Sequence, residues 1–524
     1  MFDPTVVLQI DIELGSEDWD ALRIQGRSVT DLVGPNCLAE PLFRIYDYFS
    51  ATVTVDGVAL ANVGVRKKGL IGSLSPTKPS LKVKFDEYVP NQELSGLSRL
   101  TLNNARSDPS YVRQCLGYQM FAAAGLPSPR CNFANVTVNG ENLGLFTNIE
   151  GIKKPFIRRH FSDDDGNLYE GTLSDFRSDL HQTFEKKTNK SRPDRSDVLG
   201  LVTIAENATD SALLAELGTV MDVDQYMTFW AMEMLVGHGD GYASNTNNFY
   251  VYGDPTSGVF HFIPWGIDSI FRGGGIPSTG AVATGMVPRR LAMYQPTLDM
   301  YAARATELLG SVWKESELLA EIDRMEALIR PYVLPSEKGF DDALTEVRDF
   351  ISQRRAIFEP ALAAPQLWTA PLRPVPCLDV YGVLTATFTT TWDSFDQDPL
   401  VAGSGSVSGT FLGSALQIVD VGAVSGFGGQ AGIEASVGIL ATQADGTALV
   451  VLIETPAPQF LPGTTINLDY AGSFAPVFRI DMGMVEPIGL MANGTVSFSA
   501  ATTSDGAPVS GTISGTIYDT FPNL

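Results

Sequence analysis

A glycine-flanked aspartate is followed by three asparagines in HGDGYASNTNNFYVY, residues 238–252. Phosphoryl transfer needs a carboxylate that orients and deprotonates the attacking hydroxyl, and hard oxygen ligands that hold Mg²⁺ against nucleotide phosphates. Asp240 can supply the carboxylate, and a nearby asparagine can supply a neutral oxygen ligand. The segment therefore predicts a phosphoryl-transfer loop. The alternative is an asparagine-rich turn whose side chains cap their own backbone.

Two rules select different asparagines as the metal ligand. In the protein-kinase catalytic loop four residues separate the aspartate from the metal-binding asparagine, which enters a short strand directly. The spacing selects Asn245, whereas the position next to the predicted strand FYVY selects Asn248. We favour Asn248, because strand placement fixes an atom's position better than a count across a flexible loop.

A second acidic candidate follows further along the chain. The segment FHFIPWGIDSIFRGGG is a hydrophobic strand that leads to Asp268 and then to glycines. A kinase-like fold carries its second metal ligand on the loop after such a hairpin. Asp268 is therefore the second predicted metal ligand, and a surface turn aspartate is the alternative.

Basic residues precede both acids in GVRKKGLIGSLSPTKPSLKVKF, residues 64–85. A period of two places Lys82 and Lys84 on one face of a strand and the apolar residues between them on the other. The cationic face is a candidate for phosphate binding. A solvated edge strand that charge keeps from aggregating is the alternative. The candidate phosphate ligands are Arg66, Lys78, Lys82 and Lys84.

The elements that must position these residues follow from the hydrophobic pattern. The pattern of residues 1–150 predicts a mainly β lobe with one helix, which begins near Asp108 and ends near Gly125. Residues 151–362 predict a mainly helical lobe, interrupted by one strand pair around residues 248–264. A β lobe followed by a helical lobe predicts a two-lobed α+β fold with a cleft between the lobes.

The composition changes after the Pro-rich linker predicted at residues 363–374. Lys338 is the last lysine of the chain, and short alternating segments such as GVLTATFTTTW and GTVSFSA fill the remainder. This pattern predicts an accessory all-β sandwich domain over residues 375–524. Such a domain is a candidate for binding a surface or a partner.

The charge balance argues against one class of partner. Lys and Arg number 36 and Asp and Glu number 60, which gives a formal net charge of −24. Such a chain repels a phosphate backbone on average, so nucleic acid is not an expected partner. Neither GxxxxGK[ST] nor GxSxG occurs, so the sequence does not support a P-loop ATPase or a standard serine hydrolase.

The sequence predicts neither a membrane span nor a leader. No apolar run reaches the roughly 18 residues that a membrane helix needs. The opening residues MFDPTVVLQIDIEL lack the basic and apolar parts of a signal peptide. The four cysteines are Cys37, Cys115, Cys131 and Cys377, without a CxxC pair. Disulfides and buried free thiols both stay open, and Cys115 and Cys131 are the closest pair in the chain.

Six segments in order resemble the CotH family of secreted or spore-coat kinase-like proteins. They are VRKKGLIGSLSPTKPSLKVKFDEY, LTLNNARSDPSYVRQCLGYQMFAAAGLPSPR, VTVNGENLGLFTNIEGIKKPFI, GNLYEG, HGDGYASNTNNFYVY and FIPWGID, within residues 5–360. The resemblance implies a two-lobed atypical protein-kinase-like fold that binds ATP with Mg²⁺ or Mn²⁺. It also implies phosphorylation of proteins on Ser or Thr, at a secreted or cell-surface location.

The same resemblance assigns roles to individual residues. It matches Asp240 to the catalytic aspartate, Asp268 to the metal aspartate, and Lys82 or its neighbours to the phosphate-binding base. It matches Glu150 to an acid that pairs with that lysine, as a kinase Glu does. A plain carboxylate at a helix entry is the alternative for Glu150.

One position departs from the family pattern. Many members carry Trp-Asp-x-Asp where this chain has Trp265, Gly266, Ile267 and Asp268, so the first acid is absent. Two alternatives to a protein kinase follow. One is a catalytically weak or inactive kinase-like binding or surface protein. The other is an ATP-dependent protein modifier of another type, by nucleotidyl transfer or glutamylation on the same fold.

Overall fold

The computed structural model describes residues 1–26, 37–42, 45–70, 74–273, 280–363, 365–368, 372, 374–428, 434–469 and 473–519. The predicted glycines at 274 and 275 and parts of the predicted linker lie outside these ranges. None of the described helices is long and apolar enough to cross a membrane.

The chain begins with a closed barrel of seven strands, whose pairs are antiparallel except for β1 with β6. Around the barrel the order is β1-β2-β3-β4-β5-β7-β6. Leu81 and Val83 of β4 are fully buried, which confirms the predicted period of two between the lysines. The strands are β1 (Val7–Glu13), β2 (Phe49–Val55), β3 (Val58–Lys67), β4 (Leu81–Lys84), β5 (Arg99–Asn103), β6 (Cys131–Val138) and β7 (Glu141–Ile149).

Two helices accompany the barrel, α1 (Ser16–Ile24) and α2 (Val112–Ala123). The sequence predicts α2 but not α1, whose apolar face is short because only Trp19 and Leu22 are buried. A disulfide joins Cys115 of α2 to Cys131 of β6. We call the barrel with these helices the barrel region.

A helical region follows, built around a four-stranded sheet of order β11-β10-β8-β9. The strands are β8 (Asn167–Gly171), β9 (Glu185–Lys186), β10 (Phe249–Gly253) and β11 (Phe260–Pro264). The predicted strand pair is β10 with β11, and the short β8 and β9 are additional. The helices are α3 (Lys154–His160), α4 (Ser196–Asn207), α5 (Asp210–Leu217), α6 (Val223–Val236), α7 (Tyr242–Asn245), α8 (Met286–Met293), α9 (Gln295–Ser311), α10 (Glu315–Ile329) and α11 (Phe340–Ala363).

The predicted linker contains a short strand. β13 (Gln366–Trp368) pairs in parallel with β12 (Gly280–Val282) of the helical region. A second disulfide joins Cys37 to Cys377 across 340 residues of sequence. The described cysteines are therefore all in disulfides, so the alternative of buried free thiols is wrong.

The C-terminal region is all-β, as the sequence predicts, with the short helix α12 (Pro399–Ala402). Its hydrogen bonds join ten strands into one antiparallel sheet, whereas the predicted sandwich divides them between two sheets. The strands are β14 (Asp379–Thr391), β15 (Ser404–Phe411), β16 (Ser414–Ala415), β17 (Ile418–Gly428), β18 (Glu434–Gln443), β19 (Ala448–Thr455), β20 (Thr465–Asn467), β21 (Ala475–Asp481), β22 (Met484–Ala500) and β23 (Pro508–Asp519).

Candidate active site

The loop that carries Asp240 is held firmly on both sides. It begins where α6 ends at Gly237, whose φ of 73° lies in the left-handed region that glycine favours. The buried carboxylate of Glu233 accepts the first two backbone N–H groups of α7, at 2.8 and 3.0 Å. A Cβ on Gly241 would lie 2.9 Å from Cδ of Glu233, so the close approach requires glycine.

Three asparagine side chains surround the carboxylate of Asp240. Asn245 and Asn247 donate to its Oδ1, at 2.6 and 3.1 Å, and Asn248 donates to its Oδ2 at 2.6 Å. Both asparagines that the sequence selects therefore contact the same aspartate. Oδ2 receives one of these three bonds, and a carboxylate oxygen can accept more than one. The arrangement orients Asp240 and leaves Oδ2 suited to accept a further hydroxyl.

Asn248 also contacts the segment that leads to Asp268. The Nδ2 of Asn248 donates to Asp240, and its Oδ1 lies on the side of Gly266. Gly266 has a φ of 59°, and a Cβ there would lie 2.5 Å from Cγ of Asn248. The Asn248 side chain thus fills the space into which an acid at position 266 would project.

Asp268 lies near Asp240. Burial is the main cause that raises the pKa of the Asp268 carboxyl to about 6, and the negative charge of Asp240 contributes to the same rise. The cation of Lys68 acts in the opposite direction. The two predicted acids therefore converge on one place.

Lys68 lies beside Asp268. It is not one of the phosphate ligands that the sequence predicts. Its Nζ donates to Oδ1 of Asn103, and Asn103 donates to Gln114 of α2 at 3.0 Å. Burial lowers the pKa of Lys68 to about 8, against the opposing effect of Asp268. The period of two that puts Lys82 beside Lys84 would also have put Lys68 on the face of Arg66.

Lys82 faces the helical region from β4. Burial lowers its pKa well below the ordinary value, and the neighbouring Arg66, its register partner on β3, lowers it further. Glu170 of β8 acts in the opposite direction, across the junction of the barrel and helical regions. Within the described part of the chain, Lys82 has neither a hydrogen bond nor an ion pair.

Further cations surround Glu170. Lys187 forms an ion pair with it. Burial, together with Lys187 and Arg99, lowers the pKa of Lys153 to about 8. Among the residues that the structure describes, the buried Nε atoms of Arg66 and Arg99 find no hydrogen-bond partner. Four cations face Glu170, namely Lys68, Lys82, Lys153 and Lys187, and Arg66 lies close to Lys68 and Lys82. We call these five residues the junction cluster.

Lys78 and Lys84, two predicted phosphate ligands, are engaged elsewhere. Lys78 forms an ion pair with Glu337, which precedes α11. Lys84 forms an ion pair with Glu87 at 2.8 Å, beyond the end of β4. Lys84 shares a face with Lys82, but the acid after the strand engages it. Neither lysine belongs to the junction cluster.

Glu150 is buried and pairs with arginines. Arg130 donates to both of its carboxylate oxygens, at 2.8 and 3.2 Å, and Arg159 forms a further ion pair. The expected pairing of Glu150 with Lys82 is therefore wrong. The acid that faces Lys82 is Glu170 of the segment GNLYEG. The sequence predicts no functional role for this residue.

Comparison with known proteins identifies the family of this chain. The family model described as CotH kinase protein matches residues 65–358. The chain belongs to the CotH kinase protein family. The matched range contains the junction cluster and both converging acids, so these residues belong to the family domain.

Curated CotH relatives match part of the chain. Inner spore coat protein H of Bacillus subtilis is 27% identical over 207 residues, which cover 37% of this chain and 54% of that protein. Invasin CotH3 of Rhizopus delemar is 24% identical over 186 residues, which cover 32% of this chain and 31% of that protein. The chain therefore spans about half of the first relative and about a third of the second.

Two solved structures show limited similarity to this CotH protein. The Helicobacter pylori proinflammatory kinase CtkA aligns with a TM-score of 0.29 and 8% identity, over 57% of this chain and 96% of that one. The Shewanella oneidensis complex of HipA, HipB and operator DNA aligns with a TM-score of 0.32 and 11% identity, over 70% and 76%.

Proposed function

We propose that this CotH protein is an atypical kinase that transfers the γ-phosphoryl group of ATP to Ser or Thr of proteins. The observation that carries the proposal is the convergence of Asp240 and Asp268 near the junction cluster, in which Lys82 has no ion pair with any residue that the structure describes. Burying a charged lysine is unfavourable unless an anion compensates it. A nucleoside triphosphate supplies several negative charges, which would compensate the cations of the junction cluster.

Asp240 is the proposed acceptor of the substrate proton. The asparagine amides hold its carboxylate in one orientation, and Oδ2 can accept a hydroxyl hydrogen bond. A base in this position orients the serine or threonine oxygen toward the phosphorus and takes its proton. Lys68, Lys82 and Arg66 of the barrel region are the proposed phosphate ligands, because Lys68 lies close to Asp268 and Arg66 lies close to both lysines.

The donor set near Asp240 fits a hard divalent cation. Asp268 offers a carboxylate, and Asn248 offers an amide oxygen that does not face Asp240. These are the oxygen ligands that Mg²⁺ and Mn²⁺ take in phosphoryl-transfer sites. Asp268 and Asn248 would hold the ion, which supplies neutralisation of charge on the β- and γ-phosphates when bound. Asn245 remains a donor to Asp240 in this proposal.

The test uses ATP labelled at two positions. Purified protein is incubated with Mg²⁺ or Mn²⁺, a generic protein acceptor and either γ-³²P- or α-³²P-ATP. Transfer from the γ-labelled nucleotide alone supports a kinase, whereas transfer from the α-labelled nucleotide indicates nucleotidyl transfer. Asp240→Asn is expected to reduce transfer by roughly 10²–10⁴-fold, the usual contribution of a general base.

Asp224→Asn is the matched control, because Asp224 is an exposed aspartate of the same region that pairs with Arg304. Its transfer rate should equal that of the unaltered protein. Labelling that persists in Asp240→Asn would remove Asp240 from the proposed role. Stabilisation by MgATP without transfer would favour the second candidate, a kinase-like binding protein.

The position of Gly266 favours that second candidate. The side chain of Asn248 fills the space that the first acid of Trp-Asp-x-Asp would need. One carboxylate fewer weakens the hold on a divalent ion, which lowers the rate of transfer. A surface location outside the cytoplasm is also proposed, since the names of the relatives place one in the spore coat and call another an invasin.

A further inference from the structure

An apolar cluster joins the C-terminal sheet to the turn that follows Lys68 and to the segment that follows β8. Its buried members are Leu38, Leu173, Leu378, Leu490, Ala492 and Tyr518, and Leu42, Leu70 and Phe474 pack against them. We call it the bridging cluster. Leu490 and Tyr518 come from paired strands β22 and β23 of the C-terminal sheet. Leu70 comes from the barrel region and Leu173 from the helical region, so the cluster contacts all three.

Leu173 connects the bridging cluster to Asp240. Its backbone N–H donates to Oδ1 of Asn247 at 3.3 Å, and Asn247 donates to Asp240 at 3.1 Å. The next N–H, of Ser174, donates to the carbonyl of Thr246 at 2.8 Å. Leu173 has a φ of 52°, which a leucine rarely adopts. The surrounding packing must therefore hold this backbone in place.

Leu70 connects the same cluster to Lys68. It lies two residues after Lys68 in the turn that follows β3. The hydroxyl of Tyr46 donates to the carbonyl of Gly69, between them, at 2.9 Å. A shift of Leu70 would therefore move the backbone of the lysine that faces Asp268.

A covalent bond fixes the C-terminal region at this contact. The disulfide of Cys37 and Cys377 holds their Cα atoms 4.0 Å apart, and the N–H of Leu38 donates to the carbonyl of Pro376 at 2.8 Å. Both cysteines are adjacent in sequence to members of the bridging cluster, Leu38 and Leu378. The disulfide therefore keeps the apolar contact closed.

We propose that the C-terminal region is a positioning element of the active site. Leu490 and Tyr518 hold Leu70 and Leu173, and through these two residues they set the turn of Lys68 and the loop of Asp240. The catalytic consequence rests on the proposed function, whereas the positioning itself concerns the backbone and can be measured without nucleotide.

The test compares two leucine truncations in the C-terminal region of the full chain. Leu490→Ala removes a side chain of the bridging cluster. Leu449→Ala removes an equally buried leucine of the same sheet that lies outside the cluster. Amide hydrogen exchange of residues 241–248 and the dissociation constant for MgATP are measured for both, together with the thermal midpoint. Leu490→Met is the conservative variant.

We expect Leu490→Ala to speed exchange in residues 241–248 and to weaken MgATP binding, each by about five- to tenfold, as for a moderate coupling between sites. In Leu490→Met, the exchange rate and the MgATP dissociation constant should both stay close to those of the unaltered protein. The double variant Cys37→Ser/Cys377→Ser should change both in the same direction as Leu490→Ala. Leu449→Ala should lower the thermal midpoint but leave exchange in this loop unchanged.

Two outcomes would overturn the inference. One is equal exchange of residues 241–248 in Leu490→Ala and in the unaltered protein. The other is an equal increase in both alanine variants, which would indicate general destabilisation. A protein that binds no MgATP at all would contradict the proposed function, and the exchange comparison would still decide whether the C-terminal region positions the loop.

Discussion

Lys82 and Lys84 lie two residues apart on one face of β4, yet their surroundings differ. Lys84 has an acidic partner in Glu87. Lys82 is half-buried and faces Glu170 across the junction, and it forms no ion pair with any residue in the described ranges. A half-buried cation with no counter-ion attracts an anionic ligand. The two lysines therefore form a matched pair for testing phosphate binding.

We expect Lys82→Met to weaken MgATP binding by about tenfold to a hundredfold, since a charged hydrogen bond contributes about 1.5–3 kcal/mol. The methionine keeps the apolar stem and removes only the charge. Lys84→Met should change the dissociation constant by less than about twofold, because Lys84 pairs with Glu87 outside the junction cluster. Isothermal titration calorimetry measures both. Equal losses in the two variants would contradict the assignment of Lys82.

The lowered pKa of Lys153 predicts that nucleotide binding depends on pH. Burial, with the nearby cations of Lys187 and Arg99, lowers its pKa to about 8, and Glu170 acts in the opposite direction. The free protein therefore loses this charge as the pH rises through 8. An anion that binds the charged form should bind more weakly above that pH, by up to about tenfold per pH unit.

The measurement is the MgATP dissociation constant between pH 7 and 9. In Lys153→Arg the decline should become shallower, because arginine stays protonated throughout this range. The remaining slope belongs to Lys68, whose pKa is also about 8. Identical slopes in Lys153→Arg and in the unaltered protein would show that Lys153 does not contact the ligand.

At the scale of the element, the loop after β11 packs closely against the loop before β10. Gly266 adopts a positive φ and approaches Asn248 closely, and Asn248 holds Asp240. The side chain of Asn248 thus occupies the space that an acidic side chain at position 266 would need. Restoring the family's acid would disturb two elements at once.

We expect Gly266→Asp to lower the free energy of unfolding by about 1–3 kcal/mol, through backbone strain and crowding. Adding Asn248→Ala should recover about 1 kcal/mol relative to the sum of the single changes, because the two positions are in contact. Urea denaturation of the two single variants and the double variant measures this coupling. Strictly additive losses would mean that Asn248 can move aside without cost.

At the scale of the whole molecule, ion pairs tie the barrel region to the helical region away from the site. Lys78 of the barrel region meets Glu337, and Arg113 of α2 meets Glu346 of α11 at 2.5 Å. Burial lowers the pKa of Lys78, while Glu337 opposes the change. Lys78 therefore joins two parts of the chain instead of facing the candidate phosphate ligands.

Glu337→Gln should lower the free energy of unfolding by about 1–3 kcal/mol, because it leaves the lysine without its counter-ion. MgATP affinity should change by less than about twofold. Denaturant unfolding and calorimetry provide the two readouts. A loss of affinity at unchanged stability would instead return Lys78 to the phosphate-binding role that the sequence predicts.

The candidate site could be predicted from the sequence where its signals are local. Asp240 with its asparagines lies in one short segment, and the turn at Asp56 and Gly57 forms as its residues require, with φ values of 47° and 84°. The partners of the cations could not be predicted in this way. Glu150 pairs with Arg130, which precedes β6, and with Arg159 of α3, and no periodicity of the sequence encodes these pairs.

By itself, the sequence determined the longer strands and helices, the family, and the segments that carry the two acids, because periodicity, turn residues and motif spacing act over a few neighbouring positions. Only the tertiary structure decided which lysines face the acids, that ten strands form one sheet, and that Cys37 meets Cys377. Ion pairs, sheet order and disulfides join residues that lie far apart in the chain. Their free energies depend on burial and distance, which exist only once the chain has folded.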